Sequence, residues 1–527
     1  MERLILMGDE AIAQAAIDAG IMGAWAYPGT PSTEIFEYIE GHKPADRQIF
    51  TQWSANEKTA YEEALGMSYA GGRCIVSMKH VGLNVAADAF MNSAITGANG
   101  GLVCIVADDP SMHSSQNEQD TRFFAQFAHV PCLEPSTQQE AYDMVYRALS
   151  FSEEIELPVL VRIVTRLAHS RAPVVPQPRI DQPRQPLITD KNRFILLPAN
   201  ARRHWAALIG RWSEVEQSVW DLGLDKLELR GSKLGVIAAG VSWNYLQENL
   251  AGVEHEISTM KVGAYPLNKP MLAQLFAHCD QVLVAEDGYP FIEQALRGVL
   301  DTPPKPVVGR ITGQLPRTGE LSPTTLRPAL GLPAQPTATP PIANLSGRPP
   351  ALCKGCPHIT SYLALNKVMA EHGDGGRVLS DIGCYTLGAL PPYTAIDTCV
   401  DMGASVSMAI GAAATGVFPA VAVIGDSTFA HSGMTGLLDA VRANINMVLV
   451  ILDNDITAMT GRQESALVGS PLIKLLEGIG VDPEHIRVVN PIPKHQEAIE
   501  QVFREEIAYT GLSVVIPTRP CIQIRRK

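Results

Sequence analysis

The sequence of 527 residues has few aromatic side chains and a deficit of positive charge. Lys and Arg total 42 against 55 Asp and Glu, which gives a net charge of −13, and aromatic residues make up 6% of the chain. A surplus of acidic groups disfavours binding to nucleic acid and to anionic membrane surfaces. The apolar content of 46% and the charged content of 18% are typical of an ordinary globular enzyme. This length predicts roughly three domains.

Long apolar runs and paired cysteines are also scarce. No run of about 18 uncharged apolar residues occurs, so a membrane-spanning helix is not expected. The apolar stretch at the start, within residues 1–10, is too short for a signal peptide. Nine cysteines in a chain of this length, without a secretion signal, do not indicate a disulfide scaffold. Together these absences predict a cytoplasmic protein.

Apolar strand-like runs alternate with amphipathic helical stretches along the chain, which predicts an α/β fold in three units. Segments rich in proline separate the units, as linkers commonly do. The predicted divisions are a first α/β unit over 1–175, a linker and helical segment over 176–229, a smaller α/β unit over 230–312, an extended connector over 313–350 and a last α/β unit over 351–527.

Two loops in the last unit carry polar residues at predicted strand ends. The apolar runs Val421–Ile424 and Val448–Leu452 bracket a helical span, and polar residues follow each run. Loops at the carboxyl ends of parallel strands are where doubly wound sheets bind ligands. The first loop, Gly425–Ser427, offers backbone N–H groups for a phosphate and one carboxylate, and Asn454 in the second offers a carboxamide oxygen. Oxygen ligands beside a diphosphate suit Mg²⁺, although two ordinary strand-end turns would give the same pattern.

This pair of loops resembles the thiamine diphosphate motif, in which Asn follows a Gly-Asp pair after about 28 residues, the spacing between Asp426 and Asn454. The resemblance implies a thiamine diphosphate-binding fold. Its two doubly wound α/β domains would bind the pyrimidine (1–175) and the diphosphate (351–527), and the smaller α/β domain between them would be similar to the transketolase C-terminal domain. The implied Mg²⁺ ligands are Asp426, Asn454 and the carbonyl of Ile456, and the other implied cofactor contacts are Gly425, Ser427, Gly383, Tyr385, Gly403 and Ser405.

Glu57 is the candidate acid for activating such a cofactor. It follows Asn56 at the start of a predicted helix, where a carboxylate is favourable for dipole reasons alone. In thiamine enzymes a glutamate of the pyrimidine-binding domain hydrogen-bonds the aminopyrimidine ring and so promotes formation of the ylide. The resemblance implies this role for Glu57.

Five longer stretches are distinctive, namely Tyr27–Thr33, Met78–Asn84, Ala107–Gln119, Asp401–Ser405 and Thr457–Gln463. They resemble one family, the 2-oxoacid:ferredoxin oxidoreductases, and most specifically the alpha subunits of indolepyruvate ferredoxin oxidoreductase. The similarity covers nearly the whole chain. Without it, Tyr27–Thr33 would be interpreted as a proline-rich turn before a capped helix.

The same resemblance implies roles for several polar residues of the first unit. Thr30 would contact the substrate, while His80, Asn84 and the loop 108–119 would line or cover the site. We count Thr30 and His80 with Glu57 as candidate catalytic residues. A lone histidine such as His80 is otherwise more often a hydrogen-bonded core or surface residue.

Four cysteines of the last unit are candidate metal ligands. Cys353 and Cys356 form a C-x₂-C pair, Cys384 follows 28 residues after Cys356, and Cys521 lies near the end. Four thiolates could hold structural zinc or an iron–sulfur cluster. The family resemblance implies one [4Fe–4S] cluster. The other five cysteines lie mostly in apolar runs and are expected to be buried thiols, namely Cys74, Cys104, Cys132, Cys279 and Cys399.

The resemblance implies oxidative decarboxylation of an aryl 2-oxoacid such as indolepyruvate to an acyl-CoA, with coenzyme A as co-substrate and a smaller beta subunit as partner in a hetero-oligomer. Alpha subunits of the family commonly continue into a ferredoxin-like domain with C-x₂-C-x₂-C-x₃-C runs, and the 527 residues contain no such run. Electrons are therefore expected to leave through a partner or directly to ferredoxin or another carrier. A non-oxidative thiamine diphosphate-dependent 2-oxoacid decarboxylase and a catalytically silent regulatory or assembly subunit are the alternatives.

Overall fold

The computed structural model describes residues 3–298, 305–333 and 350–524. The chain forms two compact units, Met1–Pro340 and Pro341–Lys527. In the described residues no helix combines the length and the apolar character that crossing a membrane requires.

The first unit contains fourteen strands and thirteen α-helices within its described residues. The strands are β1 (Leu4–Met7), β2 (Gly23–Ala26), β3 (Phe50–Trp53), β4 (Cys74–Lys79), β5 (Leu102–Asp108), β6 (Cys132–Leu133), β7 (Val159–Val164), β8 (Arg171–Val174), β9 (Lys226–Glu228), β10 (Leu234–Ala239), β11 (Ser258–Val262), β12 (Ala264–Tyr265), β13 (Gln281–Ala285) and β14 (Val307–Val308). The helices are α1 (Gly8–Asp18), α2 (Thr33–Gly41), α3 (Glu57–Tyr69), α4 (His80–Thr96), α5 (Arg122–Ala128), α6 (Gln138–Ile155), α7 (Thr165–His169), α8 (Pro198–Gly210), α9 (Trp212–Asp221), α10 (Val241–Leu250), α11 (Lys269–His278), α12 (Phe291–Arg297) and α13 (Pro323–Leu326).

The main sheet of this unit has seven strands in the order β12-β6-β7-β5-β4-β2-β3. All its pairings are parallel except that of β6 with β12. Strands β5 and β7 are buried along their whole length, because apolar cores lie on both faces of the sheet. Such burial explains why these strands are continuous apolar runs in the sequence rather than alternating patterns.

A second sheet in the first unit has the order β14-β13-β10-β11-β9. It is parallel apart from the antiparallel edge strand β9. Its strands lie in the region 230–312, where the sequence predicted the smaller α/β unit, except β9, which begins at Lys226. The short strand β12 of the same region joins the seven-stranded sheet instead.

The segment after β14 differs from the extended connector expected over 313–350. Helix α13 forms within it, and Leu315, Leu321, Leu326 and Leu330 are buried in the core of the first unit. Burial of these leucines outweighs the proline- and threonine-rich composition that suggested an extended segment. Residues 334–349 of the expected connector lie outside the described residues.

The second unit is built on one parallel sheet of five strands, in the order β15-β16-β17-β21-β20. Helices cover both faces, so the expected α/β class is confirmed, with a doubly wound sheet in each unit and a further five-stranded sheet in the first unit. Its strands are β15 (Arg377–Ser380), β16 (Ala420–Gly425), β17 (Met447–Leu452), β18 (Ile456–Thr457), β19 (Gln463–Glu464), β20 (Ile486–Val489) and β21 (Leu512–Pro517). Its helices are α14 (Pro357–Ala370), α15 (Ala404–Ala414), α16 (Asp426–Thr428), α17 (Met434–Ala443), α18 (Gly469–Ile479) and α19 (Gln496–Ala508).

Candidate functional site

Asp426 lies where the inner strand β16 ends, and backbone donors hold its carboxylate in place. Its Oδ1 accepts the N–H of Ser427 (2.5 Å), and its Oδ2 accepts those of Asn454 (3.0 Å) and Asp455 (2.9 Å). The residue is 2% exposed, and burial raises the pKa of its carboxyl to about 7. A cation bound here would restore the ionised form that burial disfavours. The two strand-end loops predicted from the sequence therefore meet at one carboxylate.

Asn454 lies at the centre of the contacts on the second loop. Its Oδ1 accepts the N–H of Ile456 (3.2 Å), and its Nδ2 lies 3.2 Å from His358 Nε2 and 4.0 Å from Cys384 Sγ. A buried carboxylate and a carboxamide oxygen side by side are ligands of the kind that Mg²⁺ takes. Asp426, Asn454 and the adjoining Ile456 thus fit the expected magnesium ion.

Tyr385 packs closely against two of the expected cofactor-binding glycines. A Cβ on Gly383 would lie 2.2 Å from its ring, and one on Gly425 would lie 2.7 Å from it. The hydroxyl of Tyr385 donates to the carboxylate of Asp381, which also accepts the N–H of Ser405 (3.1 Å). Burial raises the pKa of Asp381 to about 6.

Asp381 is a residue that the sequence reasoning did not single out. It follows strand β15 as Asp426 follows β16, so the same strand-end rule could have found it. Its contact with Ser405 lies at the start of α15, whose N-cap is Gly403 in the left-handed region (φ 94°). The N-terminus of this helix and the glycine-flanked loop before it offer backbone N–H groups of the kind that bind phosphates.

The four predicted metal-ligating cysteines line one cavity of about 270 Å³ in the second unit, together with His358, Asn454 and Arg462. The N–H of Cys356 donates to the carbonyl of Cys353 (3.0 Å), and that of Cys521 donates to the carbonyl of Asn454 (3.0 Å). Burial, with the neighbouring thiols adding to it, raises the pKa of Cys384 to about 12 and that of Cys356 to about 11. Thiols crowded in this way lose their protons when a metal binds, so the set fits an iron–sulfur cluster or zinc.

His358, which was not predicted from the sequence, lies between the four cysteines and the residues that are predicted to bind Mg²⁺. Its Nε2 is 3.3 Å from Cys384 Sγ as well as 3.2 Å from Asn454 Nδ2. Burial lowers the pKa of its imidazole to about 4, so the ring is neutral at physiological pH. A neutral ring nitrogen either accepts from the Asn454 amide or donates to the sulfur. The position directly after the Cys-Pro pair is the only sequence signal that pointed to it.

The remaining cysteines divide into two kinds. Cys74, Cys104, Cys132 and Cys279 are buried, as expected, but Cys399 is exposed. The expectation of a buried thiol was therefore wrong for Cys399, because this residue lies in a loop before α15 rather than in a core strand.

Glu57 is held at the start of helix α3 in the first unit. Asn56 caps this helix by accepting the N–H of Thr59 (2.9 Å), and Glu57 is 6% exposed. A Cβ on Gly82 would lie 2.7 Å from both Cγ and Oε1 of Glu57. The backbone of α4 therefore approaches the Glu57 carboxylate so closely that a larger residue at position 82 would displace this carboxylate.

The loop 108–119 contacts both other candidate segments of the first unit. The hydroxyl of Ser114 donates to the carbonyl of Thr30 (3.4 Å), and Nε2 of the fully buried His80 lies 3.2 Å from the carbonyl of Asn117. Asn84 on α4 also donates to Gln119 at the end of the loop (2.8 Å). The structure thus brings together Thr30, His80, Asn84 and this loop, while their roles stay predictions.

Two family models match separate parts of the chain. The model described as "Pyruvate flavodoxin/ferredoxin oxidoreductase, thiamine diP-bdg" matches residues 14–193. The model described as "Thiamine pyrophosphate enzyme, C-terminal TPP binding domain" matches residues 381–516. The expected thiamine diphosphate-binding fold is therefore confirmed, and the chain binds thiamine diphosphate.

Curated relatives are similar to the chain over nearly its full length. Indolepyruvate oxidoreductase subunit IorA of Methanothermobacter thermautotrophicus is 37% identical over 99% of this chain and 87% of the relative. The protein of the same name from Archaeoglobus fulgidus is 36% identical over 99% and 86%. A solved structure of 2-oxoglutarate:ferredoxin oxidoreductase from Magnetococcus marinus, with 2-oxoglutarate, coenzyme A and succinyl-CoA bound, is 17% identical, with a TM-score of 0.49 over 58% of this chain and 62% of that one.

Proposed function

Because the chain belongs to the family of indolepyruvate oxidoreductase subunits named IorA, we propose that it oxidatively decarboxylates an aryl 2-oxoacid and passes the acyl group to coenzyme A. The chain is a thiamine diphosphate-dependent 2-oxoacid oxidoreductase. In the proposed reaction the C1–C2 bond of the 2-oxoacid breaks and CO₂ leaves. The acyl carbon forms a bond to the sulfur of coenzyme A, whose S–H bond breaks with release of a proton, and two electrons are released. A [4Fe–4S] cluster held by Cys353, Cys356, Cys384 and Cys521 would supply one-electron chemistry for the two electrons released, with ferredoxin or another carrier as the final acceptor.

The contacts of Asn454 carry this proposal. Its side-chain Nδ2 lies 4.0 Å from Cys384 Sγ, and its backbone carbonyl accepts the N–H of Cys521 (3.0 Å). Oxygen ligands suited to Mg²⁺ and sulfur ligands suited to an iron–sulfur cluster therefore lie around the same residue. An oxidoreductase needs this proximity for electron transfer, whereas a non-oxidative decarboxylase has no use for four thiols beside its cofactor.

The residues of the second unit bind and orient the cofactor in this proposal. Asp426, Asn454 and the carbonyl of Ile456 would hold Mg²⁺, and the loop Gly425–Ser427 would donate backbone N–H groups to the diphosphate. Gly383, Tyr385, Gly403 and Ser405 would complete the diphosphate site. Bound thiamine diphosphate supplies an electron sink for the carbanion left by decarboxylation. Cys353, Cys356, Cys384 and Cys521 would hold the cluster.

Three residues of the first unit are assigned to proton transfer, substrate binding and positioning of a loop. Glu57 would accept and return a proton at the aminopyrimidine ring of the cofactor, a task for which a positioned carboxylate is suited. Thr30 would contact the 2-oxoacid through its hydroxyl. We assign His80 to the same end of the site, where its imidazole would orient the loop 108–119 over the substrate.

The chain acts as part of a multi-subunit oxidoreductase, since the relatives are named as subunits. We further propose that its partner is a smaller beta subunit and that ferredoxin accepts the electrons. The name of the relatives also supports indolepyruvate-like substrates over small aliphatic 2-oxoacids.

Product analysis under strictly anaerobic conditions tests the proposal. The protein, with any subunits that co-purify, is supplied with thiamine diphosphate, Mg²⁺, coenzyme A, indolepyruvate and a one-electron acceptor dye. We expect indole-3-acetyl-CoA and reduced dye in a ratio of about one to two, and no product from a Glu57→Gln variant. Release of an aldehyde without any acceptor would replace this proposal with the non-oxidative decarboxylase. Faster turnover of pyruvate or 2-oxoglutarate would overturn the aryl preference alone.

A further inference from the structure

Three side chains that no proposed catalytic role uses form a compact cluster in the first unit. Asp9, Glu34 and His169 each direct one ligand atom into it, and these atoms all lie within 4.8 Å of one another. His169 Nε2 is 3.6 Å from Glu34 Oε2. The cluster contains two carboxylates and one imidazole, which is a common ligand set for metal ions in proteins.

The fold assembles this cluster from three helix ends that are distant in the sequence. Asp9 is the second residue of α1, Glu34 is the second residue of α2, and His169 is the last residue of α7. Helix α1 can approach α7 because residue 8 is glycine: a Cβ there would lie 2.3 Å from the carbonyl oxygen of Leu167. The close approach of these helices fixes the spacing of the three side chains.

Asp9 is a buried carboxylate that lacks a hydrogen-bond donor among the described residues. It is 0% exposed, and both of its carboxylate oxygens are without a donor. Burial, followed by the nearby charges of Glu34 and Glu10, raises its pKa well above the usual value. The neighbouring cation Arg171 pairs with Glu10 (3.5 Å) rather than with Asp9. A buried carboxylate facing a second carboxylate requires either a proton or a cation between them.

We propose that Asp9, Glu34 and His169 bind one divalent transition-metal ion. An imidazole nitrogen favours such an ion over Mg²⁺ or Ca²⁺, which prefer oxygen ligands alone, while the two carboxylates disfavour soft ions such as Cu(I). The side chains of His169 and Glu34 are 36% and 34% exposed, so an ion can enter from solvent. Three protein ligands leave further coordination positions for water.

Such an ion would join the starts of α1 and α2 to the end of α7. Glu34 follows directly on the loop Tyr27–Thr33, which contains the candidate substrate residue Thr30. Because the ion binds only where the fold has brought its ligands together, it would stabilise the folded first unit, and this stabilisation would grow with the logarithm of the free ion concentration above the dissociation constant. The inference does not depend on the proposed reaction, since it concerns residues outside the cofactor and cysteine sites.

Metal binding to matched variants tests this site. Wild type and the variants Asp9→Asn and His169→Gln are stripped of loosely bound metal, then dialysed against Mn²⁺ in the presence of excess Mg²⁺ and thiamine diphosphate. We expect the wild type to retain about one Mn²⁺ per chain more than either variant. Any metal bound at Asp426 or at the cysteines is common to all three proteins, so it cancels when their metal contents are compared. An Asp46→Asn variant, altered at an exposed aspartate, should bind as the wild type does.

A spectroscopic signature separates a true ligand from a merely structural residue. Pulsed electron paramagnetic resonance of the bound Mn²⁺ should show a coupled imidazole nitrogen that is lost in His169→Gln. Since His169 is partly exposed, this variant is expected to fold even if Asp9→Asn does not. The dialysis is repeated with Zn²⁺. Equal metal content in wild type and folded variants for both ions would overturn the proposal and assign the cluster to two carboxyl groups that share a proton.

Discussion

Asp120 in the first unit and Asp426 in the second are both buried, yet their surroundings differ. Arg122 and Arg162, both fully buried, face Asp120. Burial alone would raise the pKa of Asp120, but the two guanidinium groups hold it below the usual value. Asp426 accepts only backbone N–H groups in the contacts described, and burial raises its pKa to about 7.

The arginines of the first unit belong to a closed network of buried charges. Arg162 Nε donates to Asp108 (2.6 Å), and its Nη1 donates to Glu134. Arg122 donates to Asp120 (2.5 Å) and to Glu286 (2.8 Å). Buried charges that are paired and hydrogen-bonded need no ligand. A structural network therefore differs from the second-unit site around Asp426, whose carboxylate and neighbouring thiols are of the kinds that bind a cation and a metal cluster.

The largest effect is expected where a cavity thiol is removed. A Cys384→Ser variant should lose almost all of its iron, because an iron–sulfur cluster of this kind requires four thiolates. Cys399→Ser, at the exposed thiol outside the cavity, is the matched control and should keep its iron. Iron and acid-labile sulfide assays check both. Equal iron in the two variants would contradict the assignment of the cavity as the cluster site.

Breaking the closed network should destabilise the first unit without affecting the cysteine site. Arg162→Met would leave buried carboxylates without their partner, which costs about 3–5 kcal/mol of unfolding free energy. All six tryptophans lie in residues 1–340, so tryptophan fluorescence during urea unfolding reports on this unit. The exposed Arg202→Met should change the unfolding free energy by less than about 0.5 kcal/mol. A similarly small change for Arg162→Met would show that the network is not structural.

His358 should tune metal binding in the second unit. Its Nε2 contacts Asn454, and removal of a partner that orients a metal ligand typically lowers metal affinity by about 10–100-fold. We expect His358→Ala to weaken Mg²⁺-dependent binding of thiamine diphosphate by that factor, measured by titration calorimetry. The exposed His372→Ala serves as control. An unchanged affinity for thiamine diphosphate in His358→Ala would show that this residue lines the cavity without orienting Asn454.

The smallest effect concerns the position of Glu57. Gly82→Ala would place a methyl group 2.7 Å from the Glu57 carboxylate. Overpacking of this kind lowers the free energy of unfolding by about 1–3 kcal/mol. We expect kcat to fall while the iron content is unchanged. Gly66→Ala on α3, where a Cβ would meet no atom within 4 Å, should leave kcat unaltered. Equal kcat values would argue against a role for the Glu57 carboxylate in turnover.

The sequence predicted those parts of the fold and site that follow from local pattern. Apolar runs located the strands, and polar residues at strand ends located Asp426 and Asn454, because ligand loops follow parallel strands. The C-x₂-C pair drew attention to the cavity cysteines. These features need only a few neighbouring residues to be recognised.

The features that the sequence did not predict depend on contacts between distant segments. No local sequence pattern marks Arg162 and Glu134 as buried; the fold brings them into contact in the core. His358 gains a role only from its contacts with Asn454 and Cys384, and Asp9 lies 160 residues from His169. Burial of the leucines after position 313 was not predicted, because the composition around them is typical of linkers. Each of these features arises from tertiary packing.

The most direct test of the proposed redox function is the content of iron and acid-labile sulfide per chain, measured on protein purified anaerobically and loaded with thiamine diphosphate. We predict about four of each, held by the four cavity cysteines. Protein that binds thiamine diphosphate but contains no iron would contradict the oxidoreductase mechanism and favour non-oxidative decarboxylation.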